Sequence, residues 1–319
     1  MLGVPDSLRD AVRRRHAAFP MRIETFRRRR WVRVVGPVLA PDPEREELTG
    51  IVVATPWGRW GSLYPRFDDL AAEQAAQTLL TRFAARDAAP PPAGRTDVLL
   101  GPSAAAVLLH EAVAHALECD RPLRRPDARA GSRLAASCLT VFDDPGRAPS
   151  RCAGGWDDEG VPVSGAACCV TGSSSRRWRT SPTLRTPKNV CRRRAALVAS
   201  PPVCSALPPP GTGGASSEAE LLAAAVGAFR RRGPRRRSIR TEVDSPRSPR
   251  ARRVGAGGLE DAVGRFRLAG SVVEVLGAIE SIGRDARPAA AGWCAKGGDR
   301  LPVWATAGAL LLRDVEVIS

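Results

Sequence analysis

The 319-residue chain has only two lysines, Lys188 and Lys296, among its 49 basic residues. Its formal net charge of +16 is therefore almost all arginine. Arginine in place of lysine, with abundant Ala, Gly and Pro, points to a GC-rich coding sequence, so basicity alone does not establish a polyanionic partner. Long apolar runs are also missing. No stretch approaches the roughly 18 residues of a membrane span. Met1 to Pro20 is polar and Arg-rich, without the apolar core of a secretion signal. These absences predict a soluble, cytoplasmic protein with no membrane partner. Its eight cysteines are then expected to be reduced thiols. None forms a C-x-x-C pair, which argues against a zinc ribbon or a thioredoxin-like site. No repeat period is visible. The arginine runs at 27–30 and 230–237 lack any helix-turn-helix, RNP or zinc-finger context, which leaves nucleic-acid binding as a rival reading only.

Hydrophobic patterning predicts strands over 22–40 and 48–54, then a helix over 68–86 with Asp68 and Asp69 in its first turn. Ala89-Pro-Pro-Pro-Ala-Gly94 reads as a stiff linker. The expected division is 1–89 and 90–319. After the linker, 96–100 reads as a strand, and Ser103 as the N-cap of a helix. Residues 134–142 are strand-like, and 216–229 helical. Ser271-Val-Val-Glu274 is a capping box for a helix that Gly283 is placed to end. Residues 310–318 read as a strand. The region near 170–255 is rich in Arg, Pro and Ser, too poor in apolar residues to bury much surface, and is expected to be poorly ordered.

Two of the three histidines lie in the Ala/Leu-rich helix within the stretch Val98 to Asp120, as His110-Glu111-Ala-Val-Ala-His115. Neutral imidazoles hold Zn²⁺, and a neighbouring carboxylate can take a proton from water. The spacing is five rather than the four of H-E-x-x-H. In a straight α-helix that turns His115 about 140° from His110. Both reach one ion only if the helix is widened, as by a π-bulge, or ends near His115. The alternative is a partly buried helix with two hydrogen-bonded histidines. Glu118 and Asp120 are placed either to orient the imidazoles or to end the helix in solvent. Lys296 is a candidate for steadying a substrate carbonyl, or only its own loop.

The stretch Leu108-Leu-His-Glu-Ala-Val-Ala-His-Ala-Leu-Glu-Cys-Asp120 resembles the signature helix of the TldD/PmbA metallopeptidases. Gly131 to Pro145, Trp156-Asp-Asp-Glu-Gly-Val-Pro162 and Gly292-Trp-Cys-Ala-Lys-Gly-Gly-Asp-Arg-Leu-Pro-Val303 are similar to three further family segments in the same order. The resemblance implies zinc held by His110, His115 and Cys294, with Glu111 as the base. Glu111 sits too close along the backbone to share the ion easily with His110, which suits a base rather than a ligand. It also implies hydrolysis of unfolded or short peptides by a homodimer, or by a heterodimer with a family partner. The implied fold class is α+β: a truncated N-terminal α/β domain, lacking the family's opening segment, then a mainly antiparallel β domain, sheet or barrel-like, carrying the zinc helix. The chain departs from the family at Ala114, Ala295 and Asp299. Those departures, with the atypical 170–255 region, sustain a second reading as a degenerate, non-catalytic member.

Overall fold

The computed structural model describes residues 4–32, 44–84, 87–114, 133–143, 166–170, 173–174, 177–178, 190–191, 204–207, 216–232, 238–243, 249–255, 258–264, 266–284, 287–296 and 299–318. The chain opens with helix α1 (Val4–Arg15), which was not foreseen from the sequence. Strands β1 (Arg22–Val32), β2 (Glu44–Thr55) and β3 (Gly58–Tyr64) then form an antiparallel meander. Helix α2 (Asp69–Ala84) follows, close to its expected span. Leu8, Val12, Ile51, Val53, Trp60, Leu79 and Phe83 share one core between these helices and strands. Arg14 and Arg15 of α1 both pair with Glu73 of α2. The β1–β2 register sets Arg29 opposite Glu47 and Arg30 opposite Glu46. Arg27 and Arg29 approach Glu47 at 3.8 and 3.6 Å. The first arginine run is thus answered across its own hairpin by Glu46 and Glu47.

Strand β4 (Gly94–Leu100) leads into helix α3 (Pro102–Leu109). The N-cap of α3 is Gly101, with Pro102 in the first turn and no side-chain cap. Ser103 therefore lies inside the helix and does not cap it, because Pro102 is suited to the first helical position and moves the boundary back. Next come β5 (Thr140–Asp143), β6 (Ala166–Val170), β7 (Ser173–Ser174), β8 (Arg177–Trp178), β9 (Val190–Cys191) and β10 (Cys204–Leu207). Helix α4 (Glu218–Arg232) is followed by β11 (Ser238–Val243), β12 (Pro249–Gly255), β13 (Gly258–Val263) and β14 (Arg267–Ala269). Helix α5 (Val272–Gly277), β15 (Ile279–Ile282), β16 (Arg287–Lys296), β17 (Asp299–Ala307) and β18 (Leu310–Ile318) complete the described chain.

These strands build two larger sheets. One has six strands in the order β16-β17-β10-β5-β6-β7. The other has seven, β13-β12-β11-β4-β18-β14, with β15 also paired to β18. Among the described residues both are open, so the sheet form holds rather than the barrel-like one. Pairing is antiparallel except at β4–β11, β10–β17 and β8–β9. The fold class is α+β. The main core joins Val98, Leu100, Leu310 and Leu312 of one sheet to Val141, Ala305 and Ala307 of the other, with Ala104, Ala105, Ala106 and Leu109 of α3 among them.

One further sequence expectation changes, at the end of the helix after Ser271. Within 170–255, the described strand β11 pairs with β4 and β12, and α4 covers Leu99, Val254 and Leu311 with Leu221 and Ala225. Much of 170–255, for which poor order is expected, lies outside the described residues. Ser217 and Glu220 also form a reciprocal cap on α4: Glu220 N–H donates to Ser217 Oγ at 3.2 Å, and Ser217 N–H to Glu220 Oε2 at 2.6 Å. The S-x-x-E pattern there could have revealed it. The capping box at Ser271 and Glu274 is present as read. Its helix, however, ends at Gly277, not Gly283, because Ile279 and Ile282 pair with β18 as strand β15.

One charged knot ties β4, β15 and β18. Between the pairs Leu312–Val98 and Val315–Thr96, two residues, Arg313 and Asp314, stand opposite Asp97 alone. This is a β-bulge, and Asp314 adopts φ 53° within it. Asp97 Oδ1 accepts Asp314 N–H at 3.0 Å, and Asp97 Oδ2 accepts Arg313 Nη1–H at 3.0 Å. Arg313 also grips both oxygens of Glu280, at 2.8 and 2.7 Å. Asp97 is 3% exposed and Arg313 15%. These carboxylates, Glu280 foremost, hold the Arg313 guanidinium above its ordinary pKa. Nearby, the Thr96 hydroxyl is buried and has no hydrogen-bond partner among the described residues.

Removing one member of a buried ion pair strands the other. Arg313→Ala is expected to lower the unfolding free energy by on the order of 3 kcal/mol in urea denaturation. Thr96→Val removes an unpaired hydroxyl and is expected to be neutral or to stabilise by up to about 1 kcal/mol. A loss there would reveal a partner for that hydroxyl.

Candidate metal centre

Helix α3 is apolar on nearly every side because a sheet packs on each flank. It lies against β16, β17 and β10 of the six-stranded sheet and against β4 and β11 of the seven-stranded one. Three consecutive alanines, Ala104 to Ala106, are fully or almost fully buried. Their small side chains let both sheets approach the helix axis.

The helix changes form at the motif. His110 ends the α-helical hydrogen bonding, its N–H donating to Ala106 and Val107 carbonyls. Residues His110–Ala114 then form a π-helical segment. A π-turn bonds residue i to i+5 and inserts one extra residue per turn. Positions five apart are thereby brought toward the same side, the condition that the His-Glu-x-x-x-His spacing requires. The widening also splits the burial. His110 is 6% exposed, Ala112 and Val113 are buried, and Glu111 is exposed. An imidazole inside and a carboxylate at the solvent edge is an arrangement in which one holds and the other exchanges protons.

His115, Glu118 and Asp120 lie outside the described residues. Cys294 and Lys296 are described in backbone only. They lie on β16, opposite Leu301 and Asp299. Cys294 lies on a hairpin strand. In sequence, Gly297 and Gly298 separate the paired Lys296 and Asp299, the glycine-rich two-residue connection that tight hairpins favour. Asp314 is the one described non-glycine residue with positive φ, so Ala295 occupies ordinary strand backbone. Helix α3, which leads into the motif, packs on β16, the strand that carries Cys294.

Among the described residues no three His, Cys, Asp or Glu side chains cluster as a metal site. Of the expected ligands, His110 alone is described with its side chain, and its buried imidazole is of the kind that can hold zinc. Cys138 is not one of them. Its Sγ donates to the Ile279 carbonyl at 3.6 Å, and burial pushes its pKa up, which suits an inert thiol.

Residues 93–168 match the family model described as the PmbA/TldA metallopeptidase C-terminal domain. Over that stretch the chain is similar to the TldD/PmbA family. A protein named metalloprotease from Methanothermobacter thermautotrophicus is 38% identical over 61 residues, which are 18% of this chain and 13% of that relative. The match thus spans about an eighth of the relative's length. Three solved structures share the fold. One, from Thermotoga maritima, described as a modulator of a DNA gyrase, superposes with a TM-score of 0.63 at 15% identity, covering 98% of this chain and 73% of that one. A second gyrase modulator by description, from Bacteroides thetaiotaomicron, gives 0.62 at 12% identity, covering 100% and 72%. TldE from Thermococcus kodakarensis gives 0.59 at 14%, covering 100% and 75%. At such identities these likenesses establish the fold. Among the described residues, no helix is long and apolar enough to cross a membrane.

The purified protein is expected to carry about one zinc per chain, as a site with three protein ligands would. His110→Ala, His115→Ala and Cys294→Ala should each lose most of it by elemental analysis. Full occupancy in Cys294→Ala would remove that residue from the site.

Proposed function

We propose that this chain is a zinc-dependent peptidase of the TldD/PmbA type acting on unfolded or short peptides. The observation that carries the reading is the π-turn over His110–Ala114, because it supplies the local widening that the five-residue motif needs. In this reading His110, His115 and Cys294 hold the ion. A bound zinc would polarise the scissile carbonyl and make water acidic enough to serve as the nucleophile. Glu111 accepts a proton from the attacking water and returns it to the departing amine. Its exposed position beside a buried imidazole suits that exchange. The N–H and C=O groups of an extended peptide need partners as it leaves water. Lys296, at the turn end of β16, is assigned to the substrate carbonyl, and Glu118 and Asp120 to orienting the imidazoles. The working unit is a homodimer, or a heterodimer with a TldD/PmbA-type partner, and light scattering on the eluted protein tests this.

The degenerate, non-catalytic reading is the second hypothesis, favoured by Ala114 where a Gly is expected. Glu111→Gln separates the two. The variant should keep its zinc and its melting temperature while losing peptide cleavage by on the order of 100-fold or more. Unchanged cleavage would sink the mechanism. A zinc-loaded wild type that cleaves no unfolded peptide would favour the degenerate reading.

A further inference from the structure

The proline-rich segment after α2 reads from sequence as a linker between independent parts. Its contacts give it another character. Gly264, the residue after β13, donates its N–H to the Ala89 carbonyl at 2.7 Å. Gly264 is buried, and so is Pro91. A Cβ added at Gly264 would meet the Ala88 carbonyl oxygen at 2.1 Å, the Ala89 carbonyl carbon at 3.0 Å and the Pro90 nitrogen at 3.0 Å. All three nearest atoms belong to this segment. Gly264 is not among the glycines with positive φ, so its backbone would accept alanine. The glycine is required by close approach alone.

We propose that residues 88–92 form a docked strap, seated on Gly264, that clamps the α1–α2 unit to the seven-stranded sheet. Two further contacts lie on either side of this seat: α2 touches β12, and β3 lies beside β16, the strand that carries Cys294. Three successive prolines cost little entropy to dock, because their φ angles are already fixed. The strap therefore turns a connection between two cores into a rigid joint and holds β3 next to β16. This inference is independent of peptide cleavage.

Amide hydrogen exchange on the full-length protein tests it. In the wild type the Gly264 amide should be protected. In Gly264→Ala, peptides spanning 87–93 should exchange at least about tenfold faster, while β18 keeps its rate. Gly277→Ala, at a position where a Cβ meets nothing within 4 Å, serves as the control and should leave the strap unchanged. Should Gly264→Ala fail to fold, Pro91→Gly reads the contact from the other side, and the Gly264 amide should then exchange at least about tenfold faster. A wild-type Gly264 amide that exchanges at the unstructured rate overturns the proposal. So does a folded Gly264→Ala whose strap is as protected as before, or a Pro91→Gly that leaves the Gly264 amide unaffected.

Discussion

Helix α3 is held between two sheets, and much of the arrangement follows from that confinement. A helix with a sheet on each flank has no side on which to place a large polar group, so its sequence is Pro-Ser-Ala-Ala-Ala-Val-Leu-Leu. Interiors are packed at near-crystalline density, and adding a methylene or two at such a position costs about 1–3 kcal/mol. The alanines thus fix the spacing of the sheets, and the sheets fix the axis of the helix. His110 enters at the point where this confinement ends and the helix widens. The position of the imidazole is consequently inherited from the packing of residues that carry no chemistry themselves.

Much of this was legible in the sequence. The His-Glu-x-x-x-His spacing asked for a helix that widens or ends near His115, and a π-turn occupies His110–Ala114. Period-two and period-3.6 patterns located β4, α2, α4 and β18 within a few residues. Errors arose where local signals competed. Ser103 carries N-cap chemistry, but Gly101-Pro102 starts the helix earlier. Ile279 and Ile282 continue the apolar face of α5, yet β18 takes them as a strand. Long-range pairing decided that case, and no window of local sequence contains it. The same holds for β11 and β12, whose side chains look unsuited to order but whose backbones fill positions beside β4. Cys294 stood out from the other cysteines through the resemblance and through the Ala-Lys-Gly-Gly that follows it.

The charge of the chain also looks different once folded. The arginine run at 27–30 is the strongest basic signal among the described residues, but the hairpin register lays an acidic run alongside it. Each exposed pair contributes little stability. Their larger effect is to shorten the reach of the field, so that net charge overstates what this hairpin presents to a polyanion. At Asp97 and Arg313 the logic reverses. Burial makes the pairing matter, and the carboxylate supplies the partner that the bulge denies to the Asp314 amide.

The pairing of β4 with β18 sets an order of events during synthesis. Leu99 and Leu100 meet Leu311 and Leu310 across ~210 intervening residues, and strands joined over such a distance close slowly. At bacterial-like elongation rates the ribosome needs roughly 10–40 s to travel from one strand to the other. For that time the apolar face of β4 and the alanine-rich helix behind it have no sheet to enter. The segment 98–113 is then a hydrophobic stretch without a home, the kind that holdase chaperones recognise.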